Sequence, residues 1–150
     1  MKRKLHDVEN WTDGMAREID SGTKMKWMKK ILVIEDDEQD RKSILRVLKK
    51  AGFEEIASCE TGREGIVMAE CLRPDLVIVD TVLPDLDGFV VANEINAIQD
   101  LTVKIILCTG FSDAYDPFMA QLAGADNYMM KIAGFKNLLE RVEELLAHTS

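Results

Sequence analysis

No run of this chain is apolar for the roughly 20 residues that a membrane-spanning helix needs, and no stripe of lysine and arginine marks a face for nucleic acid. The formal net charge of −8 is the wrong sign for a phosphate backbone, so neither nucleic acid nor membrane is expected as a ligand. Cysteine is scarce and odd in number. Cys59, Cys71 and Cys108 lie in apolar surroundings without metal-ligand spacing, which speaks against zinc and suits buried thiols in a reducing cytoplasm. The amino terminus has neither the apolar core of a signal peptide nor the acid-poor composition of a transit peptide. What is there is a chain of 150 residues, 47% of them hydrophobic, enough for one globular domain with a real core.

From residue 31 onward, short apolar runs alternate with segments of helical period. The pattern predicts strands at 31–35, 54–58, 76–79, 103–108 and 126–130, and helices at about 38–51, 62–72, 88–98, 113–123 and 134–147. In the last helix Phe135, Leu138, Leu139, Val142, Leu145 and Leu146 recur on one face. The runs "LVIV" and "VKIIL" are almost continuously apolar, as strands covered by helices on both faces should be. Five βα units imply an α/β fold with a doubly wound parallel sheet, whose ligand site lies beyond the carboxyl ends of the strands.

Residues 1–28 read as an N-terminal extension and 29–150 as the domain. Residues 1–30 carry about +3 and the remainder about −11. Leu5, Val8, Trp11, Met15 and Ile19 form a helical stripe, weakened by Asp13-Gly14 and broken at Ser21-Gly22. Two readings stand: a docked amphipathic helix, or a disordered or vector-derived leader with Met28 as the native start.

The stretch "ILVIEDDEQD", residues 31–40, piles carboxylates at the mouth of a buried strand. Like charges held close repel, and each is costly to desolvate, so something positive should sit there. Reading every strand to its carboxyl end gives Glu35 and Asp36, then Asp80, Thr109 and Lys131. Three carboxylates with a hydroxyl and a lysine suit a hard, oxygen-seeking cation such as Mg²⁺, with room for waters and a phosphoryl oxygen. Asp37, Glu38, Asp40, Asp85 and Asp87 read as solvated, helix-start or loop acids, the first three favoured by a helix dipole.

The blocks "ILVIEDD", "PDLVIVDTVLPDLDG", "KIILCTG" and "GADNYMMK", each closing an expected strand, resemble the four motif blocks of the two-component response-regulator receiver domain. The resemblance covers residues 29 to about 147. It implies a five-stranded sheet of flavodoxin-like order 2-1-3-4-5 and a phosphoacceptor, Asp80, charged by the phosphohistidine of a histidine kinase or a histidine phosphotransfer protein. It further implies Mg²⁺ bound by Asp36 directly, by Glu35 through water, by Asp80 and by the main-chain carbonyl of Val82. Lys131 and Thr109 would contact phosphoryl oxygens, and Thr109 and Tyr128 would act as the switch. Val82 and Phe111 would flank the path of the hydrolytic water; both are apolar, which predicts slow self-dephosphorylation.

One departure stands out: the family usually has proline, in a cis peptide, where this chain has Ile132. A cis bond before a non-proline costs about 3 kcal/mol, so a trans bond and a reshaped loop are expected. With only "HTS" after the last helix, the expected output is a downstream target protein met by binding, the chain catalysing nothing beyond its own phosphorylation and dephosphorylation. Two alternatives are a constitutive interaction domain that is never phosphorylated, and an aspartyl-phosphate phosphohydrolase. The second is disfavoured because "DTVLP" lacks an aspartate two residues after the nucleophile.

Overall fold

The computed structural model of the protein describes residues 25–110 and 116–147. The stripe through Trp11 and Met15, and Phe111, lie outside the described residues. The elements run β1 (Lys30–Ile34), α1 (Glu38–Lys50), β2 (Glu55–Cys59), α2 (Gly62–Leu72), β3 (Leu76–Asp80), α3 (Gly88–Asn96), β4 (Lys104–Thr109), α4 (Pro117–Leu122), β5 (Asn127–Met130) and α5 (Leu138–Ala147). The described strands form one five-stranded sheet, β2-β1-β3-β4-β5, with every pair parallel. This is the doubly wound order that the motif blocks implied.

Because side chains alternate across a strand, each strand feeds two cores. Ile31, Val33, Leu76, Ile78, Ile106, Cys108 and Met129 point to one face, where Ile44 and Leu48 of α1 and Leu138, Val142 and Leu146 of α5 cover them. Leu32, Ile34, Val77, Val79, Ile105 and Leu107 point to the other, under α2, α3 and α4. Burial of each such side chain contributes about 1.5–3 kcal/mol. The close fit of α2 on β1 depends on Gly65, where a Cβ would run into the Ile34 side chain.

Local chemistry sets the helix ends. Asp37, Thr61, Asp87 and Asp116 each accept a hydrogen bond from an N–H of the first turn of the helix that follows. The fourth helix starts at Pro117, not 113, because Asp116-Pro117 is an N-cap followed by proline at N1, a signal the periodicity alone did not use. The last helix is likewise shorter than the apolar stripe suggests: a separate 3-10 turn spans Ala133–Phe135, and Gly134 and Phe135 take positive φ of 70° and 54°, which breaks the helix before Leu138. Phe135 still packs into the core below. Cys59 and Cys108 are buried as expected, but Cys71 is exposed, since it lies on the outer side of α2 near exposed Val67.

The chain enters β1 through a 3-10 turn, Lys26–Met28. Lys26 donates to the carbonyl of Ala51 at the end of α1, lies 2.6 Å from Glu143 of α5 and sits over the Phe53 ring. No described helix is long and apolar enough to cross a membrane.

Candidate functional site

Strand alternation, carried one residue past each strand end, decides which side chains meet. Glu35 continues the row Ile31, Val33; Asp80 the row Leu76, Ile78; Lys131 follows Met129. All three therefore fall at the carboxyl end of the sheet on the α1/α5 side. There the Lys131 ammonium lies 2.6 Å from Glu35 Oε1 and 3.5 Å from Asp80 Oδ1. Its backbone N–H donates to the carbonyl of Thr109, which locks the residue to the end of β4. The Lys131–Ile132 peptide is trans, since no peptide among the described residues is cis.

Asp36 is exposed at the mouth, and one carboxylate oxygen from each of Glu35, Asp36 and Asp80 lies within 4.8 Å of the others. Glu35 and Asp80 are 1% and 7% exposed. Burial, aided by a hydrogen bond to Asp80, pushes the Glu35 carboxyl from 4.5 up to about 8, against the pull of Lys131. Burial raises Asp80 as well, opposed by its bond to Glu35, by Lys131 and by the Val82 backbone. Burial thus works against two negative charges side by side, with one lysine to offset them. A divalent cation fits this donor set: oxygen ligands only, two of them desolvated and short of positive charge.

The loop after Asp80 is held from several sides. Val82 bridges to Asp87, and the Gly88 N–H donates to the carbonyl of Thr81. Asp85 is an exposed loop acid, as expected, and it has a fixed role besides: its carboxylate accepts from the N–H groups of Arg63 and Gly62, which caps α2 and holds the Asp85 carboxyl below its usual range. Gly88 sits so close beneath the loop that a Cβ would collide with the carbonyl of Asp80.

Asp40 also departs from expectation. Instead of facing water, it lies 2.8 Å from the Lys131 ammonium. A signal for it existed in the sequence: Leu48 and Ile44 are the buried row of α1, and one further step of four residues lands on Asp40, at the level of the strand ends. Asp37 caps α1 and Glu38 pairs with Lys42, as helix-start acids do.

Thr109 follows Leu107 and faces the opposite core; it is fully buried. Tyr128 packs on that side too, edge-on against Phe89 with centroids 5.8 Å apart, and its hydroxyl accepts from the Asp116 N–H at the start of α4. Val82 is half exposed.

The sequence profile described as the response regulator receiver domain matches residues 31–143. The chain belongs to that family. Among curated relatives, the receiver resembles the alkaline phosphatase synthesis transcriptional regulatory protein PhoP of Bacillus subtilis, 32% identical over 79% of this chain and 48% of that protein. It is also similar to the DNA-binding response regulator MtrA of Mycobacterium leprae, 34% identical over 78% of this chain and 51% of that one. The chain spans about half the length of these relatives. Among solved structures, the response regulator TrrA of Thermotoga maritima, in complex with Mg²⁺ and BeF, is 35% identical with a TM-score of 0.70, covering 79% of this chain and 99% of that one. A receiver domain protein from Methanospirillum hungatei is 32% identical with a TM-score of 0.70, over 79% and 94% of the two chains. This receiver is therefore a domain of two-component response-regulator type.

Proposed function

We propose that this receiver is charged on Asp80 by the phosphohistidine of a histidine kinase or a histidine phosphotransfer protein and signals by binding a downstream protein. The observation that carries the reading is the placement of a nearly buried carboxylate, Asp80, within reach of one lysine and two further acids at the carboxyl ends of a parallel sheet. An Asp80 carboxylate oxygen would bond to phosphorus as the P–N bond breaks and the imidazole leaves. Mg²⁺ held by Glu35, Asp36, Asp80 and the carbonyl of Val82 would offset the repulsion between an anionic nucleophile and an anionic donor. Burial holds the Glu35 carboxyl up at about 8 without a cation, so Mg²⁺ would displace that proton as it binds and leave both carboxylates ionised. Lys131 would bind one phosphoryl oxygen and the Thr109 hydroxyl another. The TrrA complex supports the metal reading by likeness.

For the signal, Thr109 and Tyr128 share the α2/α3/α4 side of the sheet, and the Tyr128 hydroxyl is engaged at the start of α4. Drawing Thr109 toward a phosphoryl group on Asp80 would favour an arrangement in which that engagement is exchanged, so that phosphorylation selects between two surfaces around α4, β5 and α5. The chemistry is self-limiting, a phosphorylation and a slow hydrolysis rather than turnover of a substrate.

Incubation with Mg²⁺ and a small phosphodonor tests this. Wild type should take up about one phosphoryl group per chain, and Asp80→Asn, which keeps the shape without the nucleophile, none. Equal labelling of the two would move the acceptor elsewhere; no labelling of wild type would favour a constitutive interaction domain, and sustained turnover a phosphohydrolase.

A further inference from the structure

We propose that Asp40 is a positioning residue that holds the Lys131 ammonium from α1 and competes with the phosphoryl group for it, so restraining the rate at which Asp80 is charged. The proposal rests on the phosphoacceptor reading of Asp80. A lysine ammonium has three N–H donors. Around Lys131 stand three carboxylates, Glu35 at 2.6 Å, Asp40 at 2.8 Å and Asp80 at 3.5 Å, and the ammonium donates a hydrogen bond to Asp40. A phosphoryl oxygen arriving on Asp80 competes with these carboxylates for the same ammonium, so one of them must loosen its hold.

Exposure decides which. The Glu35 side chain is 2% exposed and water cannot replace the lysine there, whereas the Asp40 side chain is 36% exposed and can be rehydrated as it lets go. Asp40 also adds a negative charge beside the path of an anionic donor, a repulsion that only part of the solvent screens. Its position is fixed by α1, whose Ile44 and Leu48 are clamped in the core and whose Arg41 donates to the carbonyl of Glu35. The contact also bridges 91 residues of sequence, from the first helical turn to the loop after β5. With Lys131–Ile132 trans and Ile132 half exposed, the bond to Asp40 is a side-chain tie on that loop, beside that of Asn137 to the carbonyl of Met130.

The test measures the initial rate of labelling by acetyl phosphate with Mg²⁺ in wild type, Asp40→Asn, Asp40→Glu, Lys131→Met and the Asp40→Asn/Lys131→Met pair. Asp40→Asn should charge about two- to fivefold faster, the range expected for release of a partly exposed ion pair. Asp40→Glu should return toward the wild-type rate. In the Lys131→Met background Asp40→Asn should change nothing, because the effect runs through the lysine; a merely structural role would act in both backgrounds. Urea unfolding of the same four corners should show the two changes to be non-additive, which keeps the contact measurable if a variant labels poorly. Wild type that labels, with Asp40→Asn equal or slower, or accelerated alike without Lys131, overturns the inference and leaves the phosphoacceptor reading standing. Wild type that takes no label overturns both.

Discussion

Replacing Lys131 with methionine should reveal how far the receiver's stability depends on one ammonium. Methionine keeps an unbranched stem of similar length and removes the charge 2.6 Å from Glu35 and 3.5 Å from Asp80. Both carboxylates are almost wholly buried, so water cannot take the lysine's place. Removing one partner of a buried pair costs about 3–5 kcal/mol when the orphaned charge stays ionised. Here it has an escape, because an orphaned carboxylate can bind a proton. In wild type the Glu35 carboxyl already stands at about 8 against an ordinary 4.5, so the folded state keeps a proton that the unfolded state gives up across that window. Stability therefore falls as pH rises from about 4.5 to 8, since the folded state binds more protons than the unfolded one. Without Lys131 nothing opposes burial and the carboxyl moves further up, which steepens the fall. The expected deficit of Lys131→Met is small near pH 5 and about 3 kcal/mol or more near pH 8. The lost contact to Asp40 adds little, because that side chain is partly solvated. Urea unfolding followed by circular dichroism, with a chelator present, measures the deficit at both pH values; Mg²⁺ in excess should shrink it at the higher one. A deficit of equal size at both would refute the account of proton binding and buried charge.

The remaining predictions concern the loop, the entry segment and the lifetime of the signal. Gly88→Ala would set a methyl group against the carbonyl of Asp80 and 2.6 Å from Thr81 Cα, so it should cost about 1–3 kcal/mol in urea unfolding and slow labelling of Asp80. Lys26→Ala loses the bond to the Ala51 carbonyl, the pair with Glu143 and the Phe53 ring contact; a loss of about 1 kcal/mol is expected, and none would mean that the entry segment is only loosely laid on α1 and α5. Val82→Asn places an amide at a half-exposed position two residues after Asp80, where it can orient water, so the phosphoryl lifetime followed after removal of the donor should shorten, further with Phe111→Glu added. An unchanged or longer lifetime in the double variant would remove Val82 and Phe111 from the path of the water.

The parts of the fold legible in the sequence are those that a single period governs. The apolar runs ending in Ile34, Val79 and Cys108 could only be strands buried on both faces, and their polar successors had to lie at one edge of a parallel sheet. Element ends were less legible because they depend on individual backbone geometry: the positive φ of Phe135 is not encoded by an apolar stripe that runs through it. The partners of Asp40 and Asp85 were hidden for another reason. Each bond joins residues far apart in sequence, Asp40 to Lys131 and Asp85 to the N–H groups of Gly62 and Arg63, so its existence follows from the stacking of layers and not from any local motif. Asp40 was nevertheless within reach of reasoning, through the four-residue step from Leu48 and Ile44.

Strand parity also divides the site's labour. Glu35, Asp80 and Lys131 gather on the α1/α5 side, where charge is dense and Asp40 adds to it. By strand parity Thr109 falls on the other side, with Tyr128, which packs there against apolar residues. Asp80 is in register with Cys108, so Thr109 stands one residue beyond the acceptor's own level, at the sheet's edge where either face can be reached. On the proposed reading, a phosphoryl group on Asp80 would act on the two sides differently. On the charged side it would rearrange which carboxylates hold Lys131, a local exchange of ion pairs. On the other side the buried Thr109 would move with its strand end, and that strand end is tied through the Lys131 N–H to β5, which carries Tyr128. On the proposed reading, the chemistry of charging and the mechanics of signalling would be joined at the Thr109–Lys131 backbone bond, and substitutions on the α1 side such as Asp40→Asn should alter the rate of charging more than the surface that charging selects.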